Sequence, residues 1–474
     1  MKPGRSGGAG ASSDVRSSRA STASRSRTTR RGNRAGSAGE TEIPVCLALD
    51  TVLRLTAPAD SALRAFFRAH PELGRRDRAE IAETVFDVLR NRRRYASLVQ
   101  GGQGRIERRL ALLSLKLRDA WPTAGARSAL PRPDVNELAW LDHCLSVDQA
   151  LKRQAESGRA DPVASLAHLG SLPDWMAERL IQRYGAEDAR SLALALLGPA
   201  PVQLRVNALK ARPEPVLEAL NNEGIPVRPF PLVPEALELE GRPSLEHSPC
   251  WVAGQIEVQD AGSQMLALLV GARRGQTVID LCAGAGGKTL ALAASMRSTG
   301  QIFACDVSAE RLRRMRPRLA RGGVTNVQPF AIDDLNDRKL LRLAGRADAV
   351  LVDAPCSGSG TWRRNPDLKW RIGPADLARL VAEQRALLRT AASLVRPGGI
   401  LVYGTCSLFA EENEQQLLWF EQAFPGFRRE AADAVLGAQG VTDAARICPD
   451  GLLSTRPDRD GTDGFFGARW RAPD

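Results

Sequence analysis

The stretch Asp280-Leu281-Cys282-Ala283-Gly284-Ala285-Gly286-Gly287-Lys288-Thr289 decides how this 474-residue chain folds. It follows an apolar run with strand character, Thr277–Leu281, and opens a run with helical character, Thr289–Met296. A glycine-rich turn between strand and helix lets backbone approach a ligand and aims helix N-terminal N–H groups at it. Three ligand loops compete for this pattern. A phosphate loop, GxxxxGK[ST], would need glycine at Cys282, and a GxGxxG dinucleotide loop starting at Gly284 would need glycine at Thr289. An S-adenosylmethionine loop uses its glycines to admit the methionine portion, and the next strand ends in an acid that grips the ribose. Asp306 stands about 20 residues downstream, at the end of the strand-like run Gln301–Cys305. Spacing favours the third reading and leaves the other two open.

Outward from this turn, strands and helices alternate. Val327–Ala331, Ala349–Val352 and Ile400–Gly404 have strand character; Ala309–Arg321, Ala375–Leu394 and Glu411–Phe424 have helical character. Alternation of this kind predicts an α/β, Rossmann-like domain over residues 256–474, a doubly wound parallel sheet with its chemistry at the strand C-termini.

The preceding chain reads differently. Residues 43–165 have helical periodicity and are expected to form an all-α domain. Within Arg76–Arg94, Ala79, Ala82, Val85, Phe86 and Leu89 form one stripe, and the helix is expected to end in a basic cluster containing Arg92, Arg93 and Arg94. Residues 166–255 read as a small α+β module, with a helix at Trp175–Tyr184 and strands at Val202–Val206 and Ala236–Leu239. Residues 1–42 carry nine cations and three acids and almost no large apolar residue, which predicts a disordered basic arm.

Composition narrows the function classes. The chain is 43% hydrophobic and 25% charged, as in a globular protein, and no apolar run is long enough to span a membrane. The formal charge is +12, and only seven of the 66 cationic residues are lysine. Arginine's planar fork suits phosphate, so a polyanionic partner is expected. Eight cysteines without a CxxC pair and four histidines argue against a metal site. The simplest location for such reduced thiols is the cytoplasm.

Two of those cysteines carry the chemistry. The fourth strand runs into Asp353-Ala354-Pro355-Cys356-Ser357-Gly358-Ser359-Gly360-Thr361 and the fifth into Gly404-Thr405-Cys406-Ser407. Both thiols are thus expected over one crevice, beside an acid. C5 of cytosine is a poor nucleophile. A thiolate adding to C6 makes C5 enamine-like, so that it can attack a sulfonium methyl; a base then removes the C5 proton and elimination frees the enzyme. Methylation of an amine needs no such cysteine.

With these motifs in place, the chain resembles the Sun/Nop-type RNA cytosine-5 methyltransferases, and among them the bacterial RsmB-type enzymes of small-subunit (16S) rRNA. The resemblance rests on Cys282–Lys288, the Asp353–Gly358 loop, Arg363-Arg364-Asn365-Pro366-Asp367-Leu368-Lys369-Trp370, Thr405-Cys406-Ser407 with Glu411-Glu412-Asn413, Leu204-Arg205-Val206-Asn207, and Asp463-Gly464-Phe465-Phe466. It extends from about residue 45 to the end, and the helical part is similar to a NusB-like RNA-binding module. The cofactor loop departs from the usual Cys-Ala-Ala-Pro-Gly-Gly-Lys at Gly284 and Ala285, and Asn365 stands where histidine is common.

The resemblance implies a covalent mechanism with S-adenosyl-L-methionine. Cys406 would be the nucleophile, Cys356 would assist product release, and Asp353 would lie between cofactor and base. Cys282, Ala283, Gly284, Ala285, Gly286, Gly287 and Lys288 would form the cofactor loop. Asp306 would bind the ribose, and Asp333, with Asp334 as rival, the adenine. Arg363, Arg364, Lys369, Arg92, Arg93 and Arg94 would hold RNA phosphates. The implied protein is a monomer acting on small-subunit ribosomal RNA, without metal or membrane. Two other readings carry weight at this stage: a noncatalytic RNA-binding assembly factor that kept the fold, and a Rossmann-type oxidoreductase.

Overall fold

The computed structural model describes residues 43–122, 129–157 and 161–474. The expected basic arm, residues 1–42, lies outside the described residues. The described residues from 43 to 195 form helices joined by turns, and buried Val45, Leu49, Ile81, Val85, Leu89, Leu112 and Leu141 form the core of the first part. Of the stripe read from the sequence, Val85 and Leu89 enter this core, Ala82 and Phe86 are half-buried against it and Ala79 is exposed, because the helix turns Ile81 and Val88 inward instead.

The basic cluster sits differently from the expectation. The helix Arg75–Arg90 stops at Asn91, and Arg92–Leu98 starts a new one. Asn91 breaks it because its side-chain amide donates to the backbone carbonyl and the carboxylate of Asp87. That same buried carboxylate accepts Tyr95 and Ser114 hydroxyls at 2.6 and 2.7 Å, so the break is fixed by a satisfied internal cluster. Arg92, Arg93 and Arg94 therefore open a helix rather than close one.

The small module pairs β1 (Val202–Val206), β2 (Val227–Pro229), β3 (Ala236–Leu239) and β4 (Ile256–Val258) in the antiparallel order β2-β3-β1-β4, covered by the helix Pro213–Asn222. Asn207, just after β1, joins it to the last domain: its amide donates to the carbonyls of Gly254 and Gly322, both at 2.9 Å.

The main sheet contains β5 (Thr277–Asp280), β6 (Gln301–Asp306), β7 (Val327–Ala331), β8 (Ala347–Asp353), β9 (Val395–Thr405), β10 (Arg428–Glu430), β11 (Leu453–Ser454) and β12 (Phe466–Arg471). Its order is β10-β12-β9-β8-β5-β6-β7, with β11 pairing on β12. β5 to β9 are parallel, whereas β12 runs antiparallel beside β9 and β10 beside β12. Neighbour order reverses around β5, which is flanked by β6 and β8. A crevice opens at such a switch point, beyond the strand C-termini. Apolar side chains cover both faces of the sheet, as a parallel sheet requires.

Packing crosses the boundaries expected at residues 165 and 255. Leu166, Leu172, Met176, Leu180 and Leu192 share one core with Trp362, Leu377, Leu408 and Phe409 of the last domain. Leu408 and Phe409 follow Cys406 directly, so these helices support a site loop.

Candidate active site

The glycine-rich turn is shaped by two left-handed residues. Gly284 has φ 55° and Gly286 φ 87°; a Cβ on Gly286 would come within 2.4 Å of Met315. A Cβ on Gly284 would meet nothing within 4 Å, so the turn lies under open space. The Gly284 N–H donates to Asp306 Oδ2 at 2.9 Å, and Oδ1 accepts the Ser308 N–H at 2.7 Å. The acid ending β6 thereby holds the turn that ends β5. Asp333 and Asp334 stand on the exposed turn after β7. An open glycine turn, a helix N-terminus and a carboxylate at the next strand tip fit a cofactor with a ribose and a charged amino-acid end.

Lys288 reaches from the first turn of its helix to Asp353 at the end of β8, 2.7 Å from Nζ to Oδ2. Burial disfavours its charge, but Asp353 outweighs burial and holds the ammonium above its ordinary range. Its other neighbour is the Phe465 ring, 5.2 Å away. Deeper in, Asp280 accepts Thr289 Oγ1 at 2.7 Å, and burial pushes its carboxyl up to about 7. Burial, then Asp280, push the Cys282 thiol well above the ordinary range, so it is a filler rather than a reagent.

Two loops bring Cys356 and Cys406 together with their sulfurs 3.5 Å apart. The contact with Cys406, followed by burial, raises the Cys356 thiol far above its usual pKa. The Cys406 carbonyl accepts the Gly360 N–H at 2.9 Å, which ties one loop to the other. Gly360 in turn abuts the strand entering β12: a Cβ there would lie 2.1 Å from the Gly464 carbonyl oxygen.

Sequence reasoning gave no role to the residue beneath this pair. Glu412 is fully buried, and its carboxylate accepts the Ser357 N–H at 2.8 Å, the Ser357 and Ser407 hydroxyls at 2.5 Å each, and Gln384 Nε2 at 3.0 Å. Asn413 beside it accepts Thr405 Oγ1 and donates to the Ser407 carbonyl. These tasks break the helix expected from Glu411: a short turn at Ala410–Glu412 precedes the helix Glu414–Ala423. The signal in the sequence was the acid-acid-amide run that begins six residues after Thr405, which reads equally well as an ordinary helix start.

Of the residues expected to hold phosphates, Lys369 and Arg363 face inward, and Arg364, Arg92, Arg93 and Arg94 are half-buried. Lys369 is 1% exposed, and Nζ donates to the carbonyls of Arg90 and Ser171 at 2.7 and 2.9 Å. Burial depresses this ammonium well below its usual pKa. Arg363 donates to the Thr462 carbonyl, and Arg364 pairs with Asp463 at 2.6 Å and Asp260 at 2.9 Å. Arg94 grips Asp148 through two bonds of 2.6 and 2.7 Å, Arg93 pairs with Asp174 at 2.7 Å, and Arg92 lies over the Trp370 ring. A cation between two packed domains finds carbonyls and carboxylates at short range, and desolvation forces it to bind them.

Among the described residues no cluster of three metal-ligating side chains occurs, and no helix is long and apolar enough to cross a membrane.

Comparison with known proteins agrees with this geometry. The family model for the 16S rRNA methyltransferase RsmB/F matches residues 267–471, and the ferredoxin-like domain model of RsmF/B-like methyltransferases matches residues 172–246. A probable ribosomal RNA small subunit methyltransferase B of Synechocystis is 31% identical over 89% of this chain and 96% of its own length. A ribosomal RNA small subunit methyltransferase B of Xylella fastidiosa is 35% identical over 83% and 91%. Among solved structures, a methyltransferase homologue from Pyrococcus horikoshii shares 31% identity with a TM-score of 0.56, covering 66% of this chain and 99% of that one.

Proposed function

The chain belongs to the ribosomal RNA small subunit methyltransferase B family, and from that premise we propose that it methylates C5 of a cytosine in small-subunit rRNA through a covalent adduct with Cys406. The observation that carries this reading is the pair of thiols 3.5 Å apart at the tips of neighbouring parallel strands, beside the Lys288–Asp353 pair. Bound S-adenosyl-L-methionine supplies an electrophilic sulfonium methyl. The turn Cys282–Lys288 and Asp306 would hold it, and Asp333 or Asp334 would bond its adenine.

Cys406, as its thiolate, adds to C6 of the cytosine, and the ring's electron pair moves to C5, which would take the sulfonium methyl as the methyl–sulfur bond breaks and S-adenosyl-L-homocysteine leaves. Lys288 and Asp353 hold the pyrimidine's polar edge while negative charge develops on the ring. Cys356, acting as its thiolate, then takes the proton from C5; the electron pair left behind restores the ring double bond, the C6–S bond breaks, and Cys406 leaves as its thiolate. The protein acts as a cytoplasmic monomer on RNA.

The test is bisulfite sequencing of unmodified small-subunit rRNA after incubation with the protein and S-adenosyl-L-methionine. A single new 5-methylcytosine, absent with Cys406→Ala, is the expected outcome; methylation at another atom would overturn the reading.

A further inference from the structure

The two cysteines lie on separate loops, one after β8 and one after β9, and nothing in either loop alone sets the distance between them. Besides the direct bond from the Gly360 N–H to the Cys406 carbonyl, the loops share one side chain, from the short turn that follows the Cys406 loop. The Glu412 carboxylate accepts hydrogen bonds from the residue that follows each cysteine: the N–H and hydroxyl of Ser357, after Cys356, and the hydroxyl of Ser407, after Cys406. A fourth donor, Gln384 Nε2, also bonds the Pro355 carbonyl just before Cys356, at 2.9 Å. Four donors converge on two oxygens and fill their lone-pair directions; burial pushes the Glu412 carboxyl up, and the bonds from Ser357, Ser407 and Gln384 oppose that rise.

Glu412 itself is held. Its backbone carbonyl accepts the Tyr403 hydroxyl at 2.7 Å, from within β9, and Asn413 closes onto Thr405 and the Ser407 carbonyl. Ser359 completes the cluster, accepting the Leu408 N–H at 2.7 Å and lying 3.2 Å from the Ser407 hydroxyl. All these groups are at most 2% exposed, so water cannot substitute for a lost partner without rearrangement.

We propose that Glu412 is a positioning residue that couples the two cysteine loops, so that Cys356 and Cys406 are held as one unit rather than as two independent thiols. It touches no substrate; it acts through Ser357 and Ser407. The inference rests on the reading of Cys406 and Cys356 given above and names what keeps them in register. Its negative charge also favours the protonated form of Cys356. The other titratable groups around that thiol are Cys406 itself, Tyr403 on β9, Cys282 after β5 and the Lys288–Asp353 pair.

The experiment uses the full chain with Glu412→Gln, which keeps shape and volume but removes the charge and replaces one acceptor by a donor. Three quantities are measured: turnover on rRNA, affinity for S-adenosyl-L-methionine, and the pH midpoint of Cys356 alkylation by iodoacetamide, read peptide by peptide. The expected result is a kcat at least tenfold lower, unchanged cofactor affinity and KM for RNA, and an alkylation midpoint moved to lower pH. A purely structural role would leave the midpoint of the folded fraction where it is. If Glu412→Gln fails to fold, Ser407→Ala removes one of the four donors at less cost, and a smaller fall in kcat in a fully folded protein is then expected. A folded Glu412→Gln or Ser407→Ala with wild-type kcat overturns the proposal. Failure of the reading beneath it has a different signature: wild-type protein that makes no 5-methylcytosine at all, whatever the alkylation midpoint does.

Discussion

The sulfurs of Cys356 and Cys406 stand 3.5 Å apart although 50 positions separate them in the chain. The parallel pairing of β8 with β9 brings this about, with Asp353 opposite Gly404 at the end of the register. Two nucleophiles at such a distance cannot act alike, because ionising one disfavours ionising the other.

Separable roles follow. Cys406→Ala is expected to abolish methylation and every covalent RNA adduct. Cys356→Ala is expected to allow methyl transfer but to trap the enzyme on RNA, visible as a shifted band on a denaturing gel. Adducts that persist in Cys406→Ala would exchange the two assignments.

Asp306 accepts the Gly284 and Ser308 N–H groups. Asp306→Ala therefore loses both the ribose acceptor and the restraint on the glycine turn. Hydrogen bonds to charged groups contribute roughly 1.5–3 kcal/mol, so cofactor affinity should drop by at least about tenfold. Calorimetry with S-adenosyl-L-methionine measures this, and unchanged affinity would mean that the cofactor sits elsewhere.

Lys369 anchors the catalytic domain to the helical one through carbonyls of Arg90 and Ser171. Lys369→Ala leaves those acceptors buried without a donor and opens a cavity, a loss of about 3 kcal/mol or more. Urea unfolding should show this loss, while the salt dependence of RNA binding stays as in wild type. A flattened salt slope with unchanged stability would return Lys369 to the RNA surface.

Burial holds the Asp280 carboxyl at about 7 in the folded protein, far above the unfolded range. Between about pH 4 and pH 7 the folded state thus binds more protons than the unfolded state, and stability falls as pH rises through that window. The contribution is complete at the acid end and lost above the folded pKa; it amounts to on the order of 4 kcal/mol. Asp280→Asn should remove this slope, so the stability difference between variant and wild type should grow from pH 5 to pH 8 in the variant's favour. Parallel stability curves would show that Asp280 ionises normally.

Much of the catalytic domain was legible in the sequence because its signals are local. Val327–Ala331 matches β7 residue for residue, as Val202–Val206 and Ala236–Leu239 match β1 and β3. Apolar runs bounded by glycine and proline leave the backbone few alternatives. The cysteines were legible too, since each follows directly on a strand and parallel strands end on the same side. Legibility failed where a side chain chose between partners. Glu411–Phe424 has the periodicity of one helix, yet Asn413 leaves it to bind Thr405 and Ser407. Arg76–Arg94 has the stripe of one helix, yet Asn91 turns back to Asp87.

By itself, then, the sequence determined the strand order of chemistry: a glycine turn, an acid at Asp306, and thiols at Cys356 and Cys406. These follow from backbone propensity and from chain positions that no packing can alter. Only the tertiary structure decided what the charged residues do. An arginine or lysine reads the same on a surface as between domains, and nothing in Arg92-Arg93-Arg94 or in Lys369 tells which carboxylate or carbonyl lies opposite. Folding brings Asp148 and the Ser171 carbonyl within bonding distance and removes water from around them. Loss of hydration makes those contacts obligatory, and hydration is a property of the assembled chain rather than of any stretch within it.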